Sequence, residues 1–228
     1  MGNALSSALR LLGLTLYWIG LAPFVRWLTR RQPKVLLYHA CLPEEDHFVR
    51  GLESNTTPAQ LTMHLESLRG RYRIIPLSQL EAGAVPDHAV VITFDDGYRS
   101  VHDFAMPILR AHQAPATVYL ISDVMDKASL VWVNELMWFL HVHADVTEPI
   151  VRRVLQRPSG ESPAELVSHA RATYDPAMIA ALLGELRLAV GDGGAALAAR
   201  AVPVHRRHGA GPLDVHPVAG VSSSVIDM

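Results

Sequence analysis

Val90-Val91-Ile92-Thr93-Phe94-Asp95-Asp96-Gly97 is an apolar, β-branched run that ends abruptly in two adjacent carboxylates and a glycine. Led by Ala89, preceded by Pro86-Asp87 and stopped by Gly97, it reads as a strand over Ala89 to Phe94, buried on both faces. Asp95 and Asp96 then stand at the carboxyl end of that strand. Successive strand side chains point to opposite sides, so both carboxylates can converge on one site only where the strand is already turning into a loop. Gly97 supplies that turn. Two carboxylates this close raise each other's pKa unless a cation lies between them, which suits one to accept a proton and its neighbour to hold a metal. By local chemistry alone, Asp-Asp-Gly is equally an ordinary solvated turn.

On the amino-terminal side, Thr57-Pro58 opens a helix through about Leu68 with Thr57 as its N-cap, and His64 on it reads as a packed or surface side chain. A strand-like run from Arg73 to Pro76 and a short helix near Ser78 to Ala82 lead into the central strand. Beyond it, a helix from Val101 to His112 returns the chain to a parallel strand at Thr117 to Ile121, one βαβ unit. His102 and His112 have no partner at ligand spacing. From Trp132 to Arg200 the pattern is helical, with Glu148-Pro149 as one start and breaks at Pro158-Ser159-Gly160 and Asp175-Pro176. Gly191-Asp192-Gly193-Gly194 is a break and not a phosphate loop, since no strand precedes it and no lysine follows at the required spacing. Ala201 to Met228 carries little apolar periodicity and reads as an irregular or disordered tail.

The chain has 228 residues, half of them hydrophobic and 18% charged, with a formal net charge of −2. That balance carries no nucleic-acid signature. Cys41 is the single cysteine, so no internal disulfide is available, and with no paired base in evidence it reads as a spectator thiol. Leu11 to Val25 is uncharged and aromatic-containing, bracketed by Arg10 and Arg26. As a helix it reaches roughly 22 Å, short of a hydrocarbon core of about 30 Å. Arg26, Arg30, Arg31 and Lys34 follow it, a distribution that favours the cytoplasmic face. The expectation is an interfacial helix with Trp18 and Trp27 at headgroup level and the basic cluster on anionic lipid; a core helix of a soluble protein and an exported chain are the alternatives.

Thr93-Phe94-Asp95-Asp96-Gly97-Tyr98 resembles the first motif of the polysaccharide deacetylases, the carbohydrate esterases that share the NodB homology domain. Val35-Leu36-Leu37-Tyr38-His39 is similar to that family's first strand, and Arg71 to Leu80 to the segment leading towards the motif strand. Ala105 to Leu109 and Pro115 to Leu120 resemble the next helix and third strand. Val131-Trp132-Val133-Asn134-Glu135-Leu136 is similar to a tryptophan-rich segment before a helical insertion. The resemblance covers about Lys34 to Leu140. It implies an α/β fold with a partial (β/α) barrel and a helical C-terminal segment, to which the residues themselves add the N-terminal apolar helix. It also implies hydrolysis of N-acetyl groups on the amino sugars of a polysaccharide or glycolipid with a divalent metal, often zinc, with Asp95 as general base and Asp96 as a metal ligand. Strand ends place such carboxylates on a rigid frame, and a metal lowers the pKa of the water they deprotonate.

A catalytic zinc takes about three protein ligands and an open position. The family draws two of these from a later motif of histidine, serine or threonine, two variable residues and histidine, which this sequence lacks. His205 with His208 and His141 with His143 have neither the spacing nor the hydroxyl residue, and Arg206-Arg207 would oppose a dication. The family's arginine and proline segment and its leucine-x-histidine are absent too. The division expected is an apolar segment at 1–33, a deacetylase-like region at 34–140, a helical insertion at 141–200 and an irregular tail at 201–228, the last reading as truncated or frame-shifted. Two function classes follow: a metal-dependent deacetylase acting on an N-acetylated glycan, active if further ligands complete the site, and a non-catalytic membrane-associated or glycan-binding remnant.

Overall fold

The computed structural model describes residues 20–121, 130–191 and 213–218, the last as backbone. Most of the Leu11 to Val25 run, Trp18 included, lies outside the described residues, as do His205 and His208. What is described of that region is a short helix, α1, Ala22–Leu28. Among the described residues no helix is long and apolar enough to cross a membrane. Phe24, Val25, Trp27 and Leu28 of α1 are exposed, and the Arg30 guanidinium lies 4.7 Å from the centre of the Trp27 ring.

The chain forms a mixed α/β fold around one parallel sheet. β1 (Lys34–Tyr38), β2 (Arg73–Ile74), β3 (Ala89–Phe94), β4 (Ala116–Ile121) and β5 (Leu213–Val218) lie in the order β1-β3-β4-β5, with β2 also on β3. All six residues of β3 are buried, which is why its sequence runs apolar without alternation. Along one edge β3 pairs with the whole length of β1, Lys34 opposite Val90 through Tyr38 opposite Phe94. Its other edge is shared: β2 faces Ala89 and Val90, and β4 faces Thr93 and Phe94. The carboxyl ends of β1, β3 and β4 thus point the same way.

Helices attach where local chemistry starts and stops them. In α2 (Pro58–Leu68) the Thr57 side chain accepts the Gln60 N–H at 3.2 Å and the Gln60 side chain accepts the Thr57 N–H at 2.9 Å, a closed capping box. α3 is Leu77–Glu81. After β3 a single π turn, Val101–Ala105, in which the Met106 N–H reaches back to the Val101 carbonyl, leads into α4, Met106–Ala111. Leu61 and Leu65 of α2 and Leu109 of α4 close over Ile92 and Phe94 as one core.

Four further helices, α5 (Trp132–Val142), α6 (Ala144–Leu155), α7 (Pro163–Thr173) and α8 (Pro176–Val190), build a second core from Leu136, Phe139, Val151, Leu166 and Leu186, among others. The two cores share no residue. The buried apolar residues of α5 all belong to this second core.

Two expectations are corrected. Glu148-Pro149 does not start a helix: α6 begins at Ala144 and carries Pro149 inside. The buried stripe Thr147, Val151 and Leu155 and the Thr147 hydroxyl, which donates to the Phe139 and His143 carbonyls at 2.9 Å, outweigh the missing proline N–H. Nor is 201–228 irregular throughout, since β5 pairs with β4 from Ala116 opposite Leu213 to Ile121 opposite Val218. Pro217 spoils the local strand signature, yet a proline is tolerated on the last strand of a sheet, where one side carries no ladder.

Candidate active site

Asp95 prolongs the β1–β3 ladder by one bond, its N–H donating to the Tyr38 carbonyl at 2.9 Å. The chain then leaves the sheet through two left-handed residues, Asp96 and Gly97, each with φ of 65°. Glycine adopts that conformation freely; for an aspartate it is one of the few tolerable exceptions and still costs about 1 kcal/mol. The chain leaves the sheet at Asp96, and the neighbouring Asp95 charge is felt at its carboxyl.

Both carboxyls titrate above the ordinary aspartate range. For Asp95 burial is the main cause, partly offset by the His39 charge. For Asp96 burial is again first, opposed by His39, reinforced by Asp95 and opposed by Arg171 of α7. The Asp95 Oδ1 atom is buried and has no hydrogen-bond partner. An acceptor stripped of water and left without a donor is costly in a structural residue and useful in a base.

His39 is a member of this cluster to which the sequence assigned no role. It lies one residue past the Tyr38–Phe94 pair, the position that register matches to Asp95. The available signal was that both apolar runs, Val35 to Tyr38 and Val90 to Phe94, end in titratable residues.

Downstream the turn is anchored on three sides. The Tyr98 hydroxyl donates to Asn134 Oδ1 at 3.0 Å, and Asn134 Nδ2 donates to the Phe48 carbonyl at 2.9 Å. Burial, and then the Asp96 charge, raise the Tyr98 phenol, which keeps it a donor. Ser100 Oγ accepts the Cys41 N–H at 3.0 Å, and Asn55 clamps Leu42 through both its N–H, at 2.8 Å, and its carbonyl, at 3.0 Å. Cys41 itself is buried and its thiol is pushed up to about 11, consistent with a spectator. A cavity of about 180 Å³ opens beside Asp96, lined by Leu42, Asp46, Phe48, Phe104, Val131 and Asn134, among others.

Three further histidines of the described residues are engaged elsewhere. His64 Nδ1 is 3.1 Å from the Tyr38 hydroxyl, His141 Nδ1 is bonded to the Met137 carbonyl of its own helix, and His143 packs edge-on against Trp138. Among the described residues no group of three or more His, Cys, Asp or Glu stands where it could hold a metal ion. The orphaned Asp95 oxygen and its neighbour Asp96 are donors of the right hard-oxygen kind but fall short of the three a catalytic zinc takes, so the described residues do not by themselves fit that metal.

Residues 82–169 match the family model described as polysaccharide deacetylase, a stretch that holds β3, both carboxylates and the first two helices of the second core. Among curated proteins none matches the chain. Among solved structures, a de-N-acetylase from Aggregatibacter actinomycetemcomitans is 27% identical over 41% of this chain and 39% of its own, with a TM-score of 0.36. IcaB from Ammonifex degensii is 29% identical over 40% and 38%, with a TM-score of 0.34. A polysaccharide deacetylase from Bacillus cereus is 23% identical over 41% and 31%, with a TM-score of 0.36. The chain therefore matches about two-fifths of the length of the first two and less of the third.

Proposed function

We propose, on the premise that residues 82–169 carry a polysaccharide deacetylase domain, that this chain contributes the base side of a site hydrolysing N-acetyl groups on the amino sugars of a polysaccharide or glycolipid. The buried, unpartnered Oδ1 of Asp95 beside Asp96 is the observation that carries the reading. A water attacking the acetyl carbonyl needs its proton taken as the new C–O bond forms and the carbonyl pair moves onto oxygen; the C–N bond then breaks, the sugar amine takes up a proton and acetate leaves. Asp95 is the acceptor: held by its own N–H on Tyr38 and raised by burial, it is a stronger base than a solvated aspartate. His39 lowers the carboxyls of both aspartates and so limits how far burial can neutralise them.

In this reading Asp96 would be one ligand of a divalent metal, which would polarise the carbonyl and activate water only if further donors completed the site. The sheet is a portion of the (β/α) barrel that the family implies, residues 34–140 the catalytic region and the helices after it an insertion. The exposed aromatic face of α1, with the basic cluster beside it, supports attachment to an anionic membrane surface on the cytoplasmic side.

The test is acetate release from an N-acetylated amino-sugar oligosaccharide by the purified full chain, with bound zinc, cobalt and nickel measured in parallel. Asp95→Asn should lower the rate by about 10²–10⁴-fold while keeping metal, the span of a lost general base. Asp96→Ala should lose the metal. Undiminished acetate release in either variant removes that residue's role. A chain without stoichiometric metal and without acetate release leaves the glycan-binding reading in its place.

A further inference from the structure

We infer that Asn134, in the first turn of α5, is a positioning residue for the carboxylate turn, so that the placement of Asp96 depends on the helical unit being folded. The catalytic part of this inference rests on the deacetylase reading; the bond network does not.

The argument begins with Asp96. A non-glycine residue in the left-handed region persists only where its surroundings over-determine it. The strand side is fixed by the Asp95 N–H on Tyr38. The far side is fixed at Tyr98, two residues on, and Tyr98 is fixed by Asn134. The direction of each bond follows from chemistry. The Phe48 carbonyl can only accept, so the amide of Asn134 must turn its NH₂ to Phe48 and its oxygen to Tyr98, and the Tyr98 hydroxyl must donate. Asn134 is 5% exposed, so either bond, once broken, leaves a polar group without water to replace it.

The Tyr98 end of the bridge packs with the sheet core, while Asn134 at its middle stands on a helix of the second core. The Phe48 end is held by the same unit again, with Phe48 stacked on Trp138 at 6.5 Å between ring centres and Leu52 packed on the helical core. Gly51 lies so close that a Cβ there would stand 3.5 Å from that of Ala164. Asn134 in turn is steadied by its neighbour Glu135, buried and held by both its oxygens to Arg187 of α8 at 2.6 and 2.7 Å. A helical unit that came loose from α8 would therefore release Asn134, then Tyr98, then the turn.

The experiment measures amide hydrogen exchange and acetate-release kinetics on the full chain and on Tyr98→Phe, Asn134→Leu and the double variant, with an N-acetylated chitooligosaccharide as substrate. The reporter amide is Val101, which donates to the Tyr98 carbonyl. Each single variant should exchange about five- to tenfold faster there, the effect of one hydrogen bond, and the double no faster than the worse single. With that loosening kcat should fall while KM holds, once the folded fraction is measured by circular dichroism and divided out, since a loss of folded protein would also lower apparent kcat at constant KM. Unchanged exchange at Val101 in Tyr98→Phe, or faster exchange with unchanged kcat, overturns the inference. Should Asn134→Leu unfold the helices, Tyr98→Phe, which removes a single oxygen, decides alone. A wild-type chain that releases no acetate sinks the proposed function and leaves the exchange result to decide the bridge.

Discussion

At Asp95 the structure carries a cost that can be read out by pH. Burial raises its carboxyl, so folding favours the protonated form. That contribution is complete below the ordinary aspartate pKa of about 3.9 and is lost as pH rises through the elevated folded value. Asp95→Asn cannot ionise, so in the presence of chelator it should melt higher than wild type at neutral pH, with the gain shrinking towards zero below about pH 4. Thermal unfolding of both chains across that range checks it; an asparagine variant less stable than wild type at pH 7 would show that Oδ1 has a partner after all. The carboxylate pair and its strand were legible in the sequence because both are local: an apolar run, two acids, a glycine. His39 was not, because its relation to Asp95 exists only once parallel register sets Tyr38 against Phe94. Asn134 was hidden for the same reason, a sequence separation of 36 from Tyr98 and 86 from Phe48.

Among the elements, the helices show most directly which sequence signals carry energy. Thr57→Ala removes one half of the capping box on α2 and should cost about 1 kcal/mol, a fall in melting temperature of about 2–4 °C in a chain of this size. The ion pair between α5 and α8 should be asymmetric. Glu135 is 3% exposed and the Arg187 side chain 49% exposed, so Arg187→Met leaves a buried carboxylate alone and should cost about 1–3 kcal/mol, whereas Glu135→Gln leaves a cation that water can solvate and should cost less. Denaturant unfolding of the two variants gives the comparison, and equal losses would mean that the pair is solvated. Caps and buried runs are written in a few adjacent residues, so α2 and β3 could be read from the chain. The start of α6 and the strand β5 are decided by what lies beside them, a buried stripe in one case and a paired neighbour in the other, and for that reason Pro149 and Pro217 misled the local reading.

For the molecule as a whole, two cores without a common residue imply two units that can open separately. Phe139→Ala should weaken the helical unit by about 3–5 kcal/mol, with hydrogen exchange accelerating across α5 to α8 while the amides of β3 keep their protection. Equal acceleration in both would show a single cooperative block. The sheet also leaves a liability: β1 is an edge strand among the described residues, and its Val35 and Leu37 side chains are exposed. Leu37→Lys should reduce self-association of the full chain in light scattering without altering its circular dichroism, since a charge on an edge blocks pairing with another molecule. Asn134 ties the two units together at the one place where chemistry is expected. Contacts that close long stretches of chain form late, because the entropy of closure is spent before they return anything. The carboxylate turn should consequently take its final shape late, once the helical unit is in place: a chain still folding would present its acids unaligned, and the arrival of activity would report that both halves are finished.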